Sequence, residues 1–425
     1  MIAAGQLQRA DVLVRDGRIA AVEAALEPHN GCQVLDAAGC VVGPGLVDLH
    51  SHLRQPGTEE AETIETGARA AALGGYTAVV AMPNTDPPVD CAAVVRDVLA
   101  LAEGAACHVA VAGTITIGRE GQLLSPMAEM ADLGVRIFTD DGRGVQDGGL
   151  MRRAMEYAGA LGVTLAQHCE DEALARGGHM HEGAWSSRLG VPGQPSIAEE
   201  AMVARDLALA ALTGTRLHLL HLSTAGSVDL VRRAKSLGTR VTAEVAPHHL
   251  FFTDAAVAGY DPVFKVNPPL RAQADVDALR AALHEGVFDA VATDHAPHPP
   301  ELKDEPFDKA PPGMLGLETA IAAVHTVLTQ DGRTGSVLPA LFDLFSVAPA
   351  AIAGLAGPGG QGGAVEVGGV ANLCVFDPAA RWCVDAGQLA SRSRNSPFHG
   401  RELIGRARHT VLRGEPVVVD GSSQR

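Results

Sequence analysis

From about residue 40 to residue 330, short β-branched or apolar runs alternate with longer stretches rich in Ala and Leu. Eight runs read as buried strands: Gly45–Leu49, Thr77–Ala81, His108–Ala112, Val135–Phe138, Val163–Gln167, Arg216–Leu220, Arg240–Glu244 and Asp289–Thr293. Helix-like segments lie between them, such as Glu62–Leu73, closed by Gly74-Gly75, and Ile197–Leu212. A glycine past the last apolar turn is a favoured helix stop, because it accepts the left-handed backbone found there. Eight strands each followed by a helix predict an α/β fold, a (β/α)8 TIM-like barrel, with an open doubly wound sheet as the competing architecture.

The chain ends are patterned differently. Residues 11–23 (DVLVRDGRIAAVE) alternate apolar and polar positions around Asp16-Gly17, a hairpin signal. Residues 364–376 and 410–420 read the same way, and the Gly-rich stretch 354–363 reads as a linker. The expectation is a small β-sandwich domain built from residues 1–43 and 360–425, flanking a barrel at 44–359.

Composition narrows the partners. The 425 residues carry 33 basic and 50 acidic side chains, a net charge of −17, which argues against a nucleic-acid groove or an anionic membrane. An anionic substrate would need a local cationic pocket. There is no run of ~18 apolar residues, so no membrane span is expected, and the opening residues lack a signal-peptide pattern. The seven cysteines are dispersed without a Cys-x-x-Cys pair, which predicts reduced thiols in a cytoplasm and excludes finger-type zinc.

Barrel enzymes gather their reactive groups at the C-terminal ends of the strands. Strand one ends in Asp48-Leu49-His50-Ser51-His52, strand four is followed by Asp140-Asp141, strand five ends at His168, strand six at His221 and strand eight at Asp294-His295. A lone His-x-His proves little, and His179-Met180-His181 reads as a solvated loop. The pair at 50 and 52 differs, because residues two apart on a strand face one side and would bury both rings without partners. Five strands thus deliver four imidazoles and two carboxylates to one rim. That set suits one or two zinc ions; a pair bridged by a carboxylate and a hydroxide would use all six groups, which points to amide or ester hydrolysis.

The runs GPGLVDLHSHLRQPG (43–57), AMPNTDPPVD (81–90), FTDDG (138–142), HCED (168–171), HLST (221–224), EVAPHHL (244–250), FKVNPPLR (264–271) and VATDHAPH (291–298) closely resemble dihydroorotases of the amidohydrolase superfamily, bacterial class I type, in order and over about residues 10–420. The resemblance implies reversible hydrolysis of (S)-dihydroorotate to N-carbamoyl-L-aspartate in pyrimidine synthesis. It implies His50, His52 and Asp294 at the more buried metal, His168 and His221 at the second, a metal-bridging hydroxide as nucleophile, and Asp294 as general base and acid. Many relatives bridge the metals with a carboxylated lysine past strand four. Here the first lysine is Lys235, so the aspartate-bridged branch is implied, with Asp141 favoured over Asp140.

For substrate binding, Arg54 can form a bidentate pair with a carboxylate. Asn84 and His298 match the family's other carboxylate contacts, Asn267 matches a ring-edge contact, and Pro312-Gly313 offer backbone groups to the ring amide. His248 and His249 are read as packing or supporting residues and His295 as an orienter. The charged, Pro-rich segment His298–Gly313 reads either as a cover over the mouth or as a plain solvated loop. Relatives carry an apolar strand ahead of Asp11 that MIAAGQLQRA lacks, so the β domain is expected to be trimmed or the start to lie upstream. A homodimer is implied, and an aspartate transcarbamoylase is a possible partner. Two other readings stand: a hydantoinase- or allantoinase-like cyclic amidase, against which the missing lysine and the Arg54, Asn84, His298 set argue, and a non-catalytic scaffold subunit for the transcarbamoylase, against which the full ligand set argues.

Overall fold

The computed structural model describes residues 1–3, 6–28, 31–332 and 337–425. Strands Leu46–Ser51, Tyr76–Ala81 and His108–Val111 pair in parallel. So do Ile137–Phe138, Thr164–Gln167, Leu217–Leu219, Val241–Val245 and Ala290–Val291. Parallel bridges Gly113↔Phe138 and Ser51↔His295 join the two sets at both seams. The eight strands therefore close into a barrel, and the open-sheet alternative is excluded. Alternation explains the packing. Leu49, Val80, Ala112, Ile137, Ala166, Leu220 and Ala290 form one buried cluster. Neighbours of opposite phase, such as Val79, Val109, Phe138, Leu165 and Leu219, belong to a second cluster that includes residues of the surrounding helices.

The helix after strand one spans Ile64–Leu73. It starts later than its apolar pattern because Thr63 caps it, accepting from the Thr66 N–H. The helix before strand six spans Ile197–Thr213.

Both chain ends build the β layer. The hairpin Asp11–Arg15 and Arg18–Glu23 turns at Asp16-Gly17, both with positive φ (51° and 77°). An antiparallel sheet runs Ser422–Ser423, Glu415–Val419, Glu402–Leu412, Leu373–Cys383 and Val41–Pro44. Hairpin and sheet share a core that includes Ile19, Leu373 and Val411. Strand Glu402–Leu412 lies mostly outside the anticipated segments.

Three local expectations change. The Gly-rich stretch 354–363 is not a free tether: Gln361 is buried and accepts from Thr77 Oγ1 at 2.7 Å, and Asn372 donates to the Gly360 carbonyl at 3.1 Å. The opening residues are not without a strand, since Ile2–Ala3 pairs with Gln6–Leu7 and Ile2 is buried. Met180–His181 is not a solvated loop but a short strand paired with Gly193–Gln194; both residues are buried, and His181 Nδ1 lies 3.3 Å from the Arg271 guanidinium.

Candidate active site

The strand ends converge as their spacing predicts. His50, on strand one, and His52, just past its end, are buried and direct Nε2 toward Asp141, at 3.4 Å from Oδ1 and 3.5 Å from Oδ2 respectively. The same nitrogens lie 3.7 and 3.4 Å from Asp294 Oδ1. From the other side, His168 Nδ1 and His221 Nε2 lie 3.6 and 3.7 Å from Asp141 Oδ1. Asp141 therefore stands between two histidine pairs. Asp140 does not: its carboxylate accepts the Ile115 and Thr116 N–H groups and the Thr116 hydroxyl, which fastens the loop after strand three.

Two ligand groups emerge, His50–His52–Asp141 and Asp141–His168–His221, each with donor atoms within 4.8 Å of one another. Among the described residues, His50 Nε2 and Asp141 Oδ1 are buried with no hydrogen-bond partner, although leaving such atoms unpaired is costly. The His168 and His221 ring nitrogens face each other at 3.0 Å. This donor set fits metal binding. Burial alone would raise the Asp141 and Asp294 carboxyls, but the surrounding imidazoles hold both below the usual range.

Three residues at or next to the cluster hold a strained backbone. Arg54, His221 and Asp294 all have positive φ (62°, 29° and 47°), a region that costs a side-chain-bearing residue energy and persists only when its surroundings impose it. For Asp294 the restraints are visible. Buried Asp48 accepts from the N–H and hydroxyl of Thr293 (2.7 and 2.8 Å), and the His52 N–H donates to the His295 carbonyl (2.8 Å). His295 Nε2 lies 3.3 Å from buried Glu62.

Around this cluster lie the residues expected to bind substrate. Arg54 makes no ion pair among the described residues; it donates to the Pro297 carbonyl at 3.1 Å, with Nη2 3.4 Å from His298 Nε2. Burial lowers its pKa to about 10. Asn84 Oδ1 lies 2.8 Å from His52 Nδ1, so this side chain supports a histidine. Asn267 Nδ2 lies 3.3 Å from His168 Nε2. His298 Nε2 lies 2.9 Å from the Pro312 carbonyl. Gly313 has both backbone groups engaged, its N–H with Lys265 and its carbonyl with Asn395, so it has less to offer a ligand than its position suggested. The segment 298–313 is tied down by Lys303 Nζ, which donates to the carbonyls of Pro262, Lys265 and Pro311. His248 and His249 are buried with ring centroids 4.4 Å apart.

The sequence reading did not single out Asp48, Glu62, Glu244 or Arg119, whose guanidinium donates to the Asp141 carbonyl. The available signal was a charged residue inside an apolar strand, as in LVDLH (46–50) and VTAEV (241–245).

A closed (β/α)8 barrel with a buried His/Asp cluster at its C-terminal rim defines a hydrolase of the amidohydrolase class. Residues 39–227 match the family model described as dihydro-orotase-like. The chain is 48% identical over 417 residues to the dihydroorotase of Pelotomaculum thermopropionicum, covering 98% of this chain and 96% of that protein. It is 49% identical over 414 residues to that of Streptomyces coelicolor, covering 97% and 95%. Among solved structures, the L-hydantoinase (dihydropyrimidinase) of Arthrobacter aurescens superposes with a TM-score of 0.87 at 28% identity, over 98% of this chain and 94% of that one. The chain belongs to the dihydroorotase family of cyclic amide hydrolases.

Proposed function

We propose that the chain hydrolyses (S)-dihydroorotate reversibly to N-carbamoyl-L-aspartate at a centre of two zinc ions held by His50, His52, Asp294, His168 and His221 and bridged by Asp141. The observation that carries the zinc reading is the unpaired, buried His50 Nε2 and Asp141 Oδ1 between two histidine pairs. Zinc, when bound, supplies a water acidified to near neutral pH and a Lewis acid for the scissile carbonyl. Asp294, ionised by its imidazole neighbours, takes the proton from the attacking water and returns it to the leaving ring nitrogen. Arg54 has guanidinium donors but no carboxylate partner, and it binds the substrate carboxylate together with His298 and Asn84. Asn267 and the Pro312-Gly313 backbone border the ring. The barrel at 44–359 carries the chemistry, and the β domain of residues 1–43 and 360–425 supports it. The active form is a cytoplasmic homodimer, with an aspartate transcarbamoylase as its candidate partner.

The test is turnover of dihydroorotate and of hydantoin by the zinc-loaded protein and by Asp294→Ala. Dihydroorotate is expected to be the better substrate, and the variant should lose at least ~10²-fold in rate. Hydantoin turnover without dihydroorotate turnover would overturn the substrate, and a fully active Asp294→Ala would overturn the acid–base role.

A further inference from the structure

Strand seven supplies none of the groups facing the metal cluster, yet it carries a fully buried carboxylate directly behind it. Glu244 Oε1 lies 3.1 Å from His50 Nδ1 and accepts the His221 backbone N–H at 3.2 Å. Its Oε2 lies 2.9 Å from His218 Nε2, and His218 Nδ1 lies 2.8 Å from Thr242 Oγ1. With two imidazole nitrogens at 3.1 and 2.9 Å and a backbone N–H at 3.2 Å, this carboxylate is placed to accept from all three.

Proton counting then fixes the rings. Glu244 Oε1 already accepts the His221 N–H, so as an acceptor at 3.1 Å it calls for the proton on His50 Nδ1. An imidazole that ligates a metal is neutral and has one N–H, so His50 Nε2, without a hydrogen-bond partner among the described residues, presents its lone pair to the centre. In the same way His218 gives its Nε2 proton to Glu244 and accepts from the Thr242 hydroxyl. We infer that Glu244, itself steadied by His218 and Thr242, is a positioning residue: it sets the tautomer and angle of His50 and, through the His221 N–H, ties a residue of each histidine pair to one carboxylate. The inference rests on the reading of the cluster as a metal site. Groups that orient a ligating histidine from behind commonly change metal affinity 10–100-fold when lost.

The experiment compares wild type, Glu244→Gln and Glu244→Leu. Each is stripped of metal and titrated with zinc against a chromophoric chelator, and thermal unfolding of the metal-free forms controls for folding. Zinc affinity should fall by about 10-fold in Glu244→Gln and toward 100-fold in Glu244→Leu. The low-field proton signal of His50 Nδ1–H in the zinc-loaded wild type, assigned by its absence in His50→Asn, should vanish in Glu244→Leu. The isosteric Gln variant keeps the test valid if Leu does not fold. If both folded variants bind zinc as wild type does, or if the His50 signal persists in Glu244→Leu, the positioning role is overturned. Failure of the wild type to bind zinc would instead overturn the metal reading beneath it.

Discussion

His298 shows how the surroundings of a single residue link stability to pH. Burial first, then the adjacent Arg54 and Lys303 charges, push its pKa down to about 3, against an ordinary value of 6.5. Between those values an unfolded chain binds a proton that the folded chain refuses, so stability rises with pH across the window and is lost as pH falls from about 6.5 toward 3. Replacing His298 with Asn removes this titration. The thermal midpoint of His298→Asn, followed from pH 7.5 to 4.5, should therefore fall less steeply than that of wild type; parallel curves would show that the imidazole is not the group responsible. Neutral His298 also adds no further positive charge beside the Arg54 guanidinium, whose fork of donors suits a carboxylate. Asp140 and Asp141 make the complementary point: adjacent residues of one type have different surroundings, because one is saturated by backbone N–H groups and the other is ringed by imidazoles.

Among the elements, the joint between the β layer and the barrel is tightly built. Strand Val41–Pro44 leads into strand one through Gly45, whose N–H donates to the Asn372 carbonyl and whose carbonyl accepts from Ser346. A Cβ at this position would lie 2.1 Å from Thr77 Oγ1, closer than atoms can approach without displacement. Gly45→Ala should destabilise the protein by about 1–3 kcal/mol, typical of overpacking in a filled interior, read as a lower denaturant midpoint. An unchanged midpoint would mean that the joint yields more easily than this packing implies. All eight barrel strands were legible as apolar runs, and so was the hairpin turn at Asp16-Gly17. Strand Glu402–Leu412 was harder to see because its ELIGRARHTVL sequence breaks the alternation with Gly405, which has a φ of 93° and packs where a Cβ would meet Phe376. The buried histidine at 181 was missed for a related reason: its partner Arg271 lies 90 residues away.

Taken as a whole, the molecule places five strand ends around one buried His/Asp cluster, and a metal bound there would couple to the stability of the entire barrel. A ligand that binds only the folded chain adds RT ln(1 + [L]/Kd), about 4 kcal/mol at a thousandfold excess over Kd. Chelation should lower the thermal midpoint and abolish turnover together, and added zinc should restore both. Loss of activity with no change in midpoint would separate the metal from the architecture. The order and type of strands, the His-x-His pair, the lack of a lysine after strand four and the motifs of the family were all determined by the sequence itself, because local periodicity and residue identity are local properties. Tertiary structure decided which aspartate of the pair stands between the histidines, that Asn84 backs His52, that Gly313 is already hydrogen-bonded, and that Glu244 stands behind His50. Each of these depends on distances between atoms far apart in the chain, which are set only when the barrel closes.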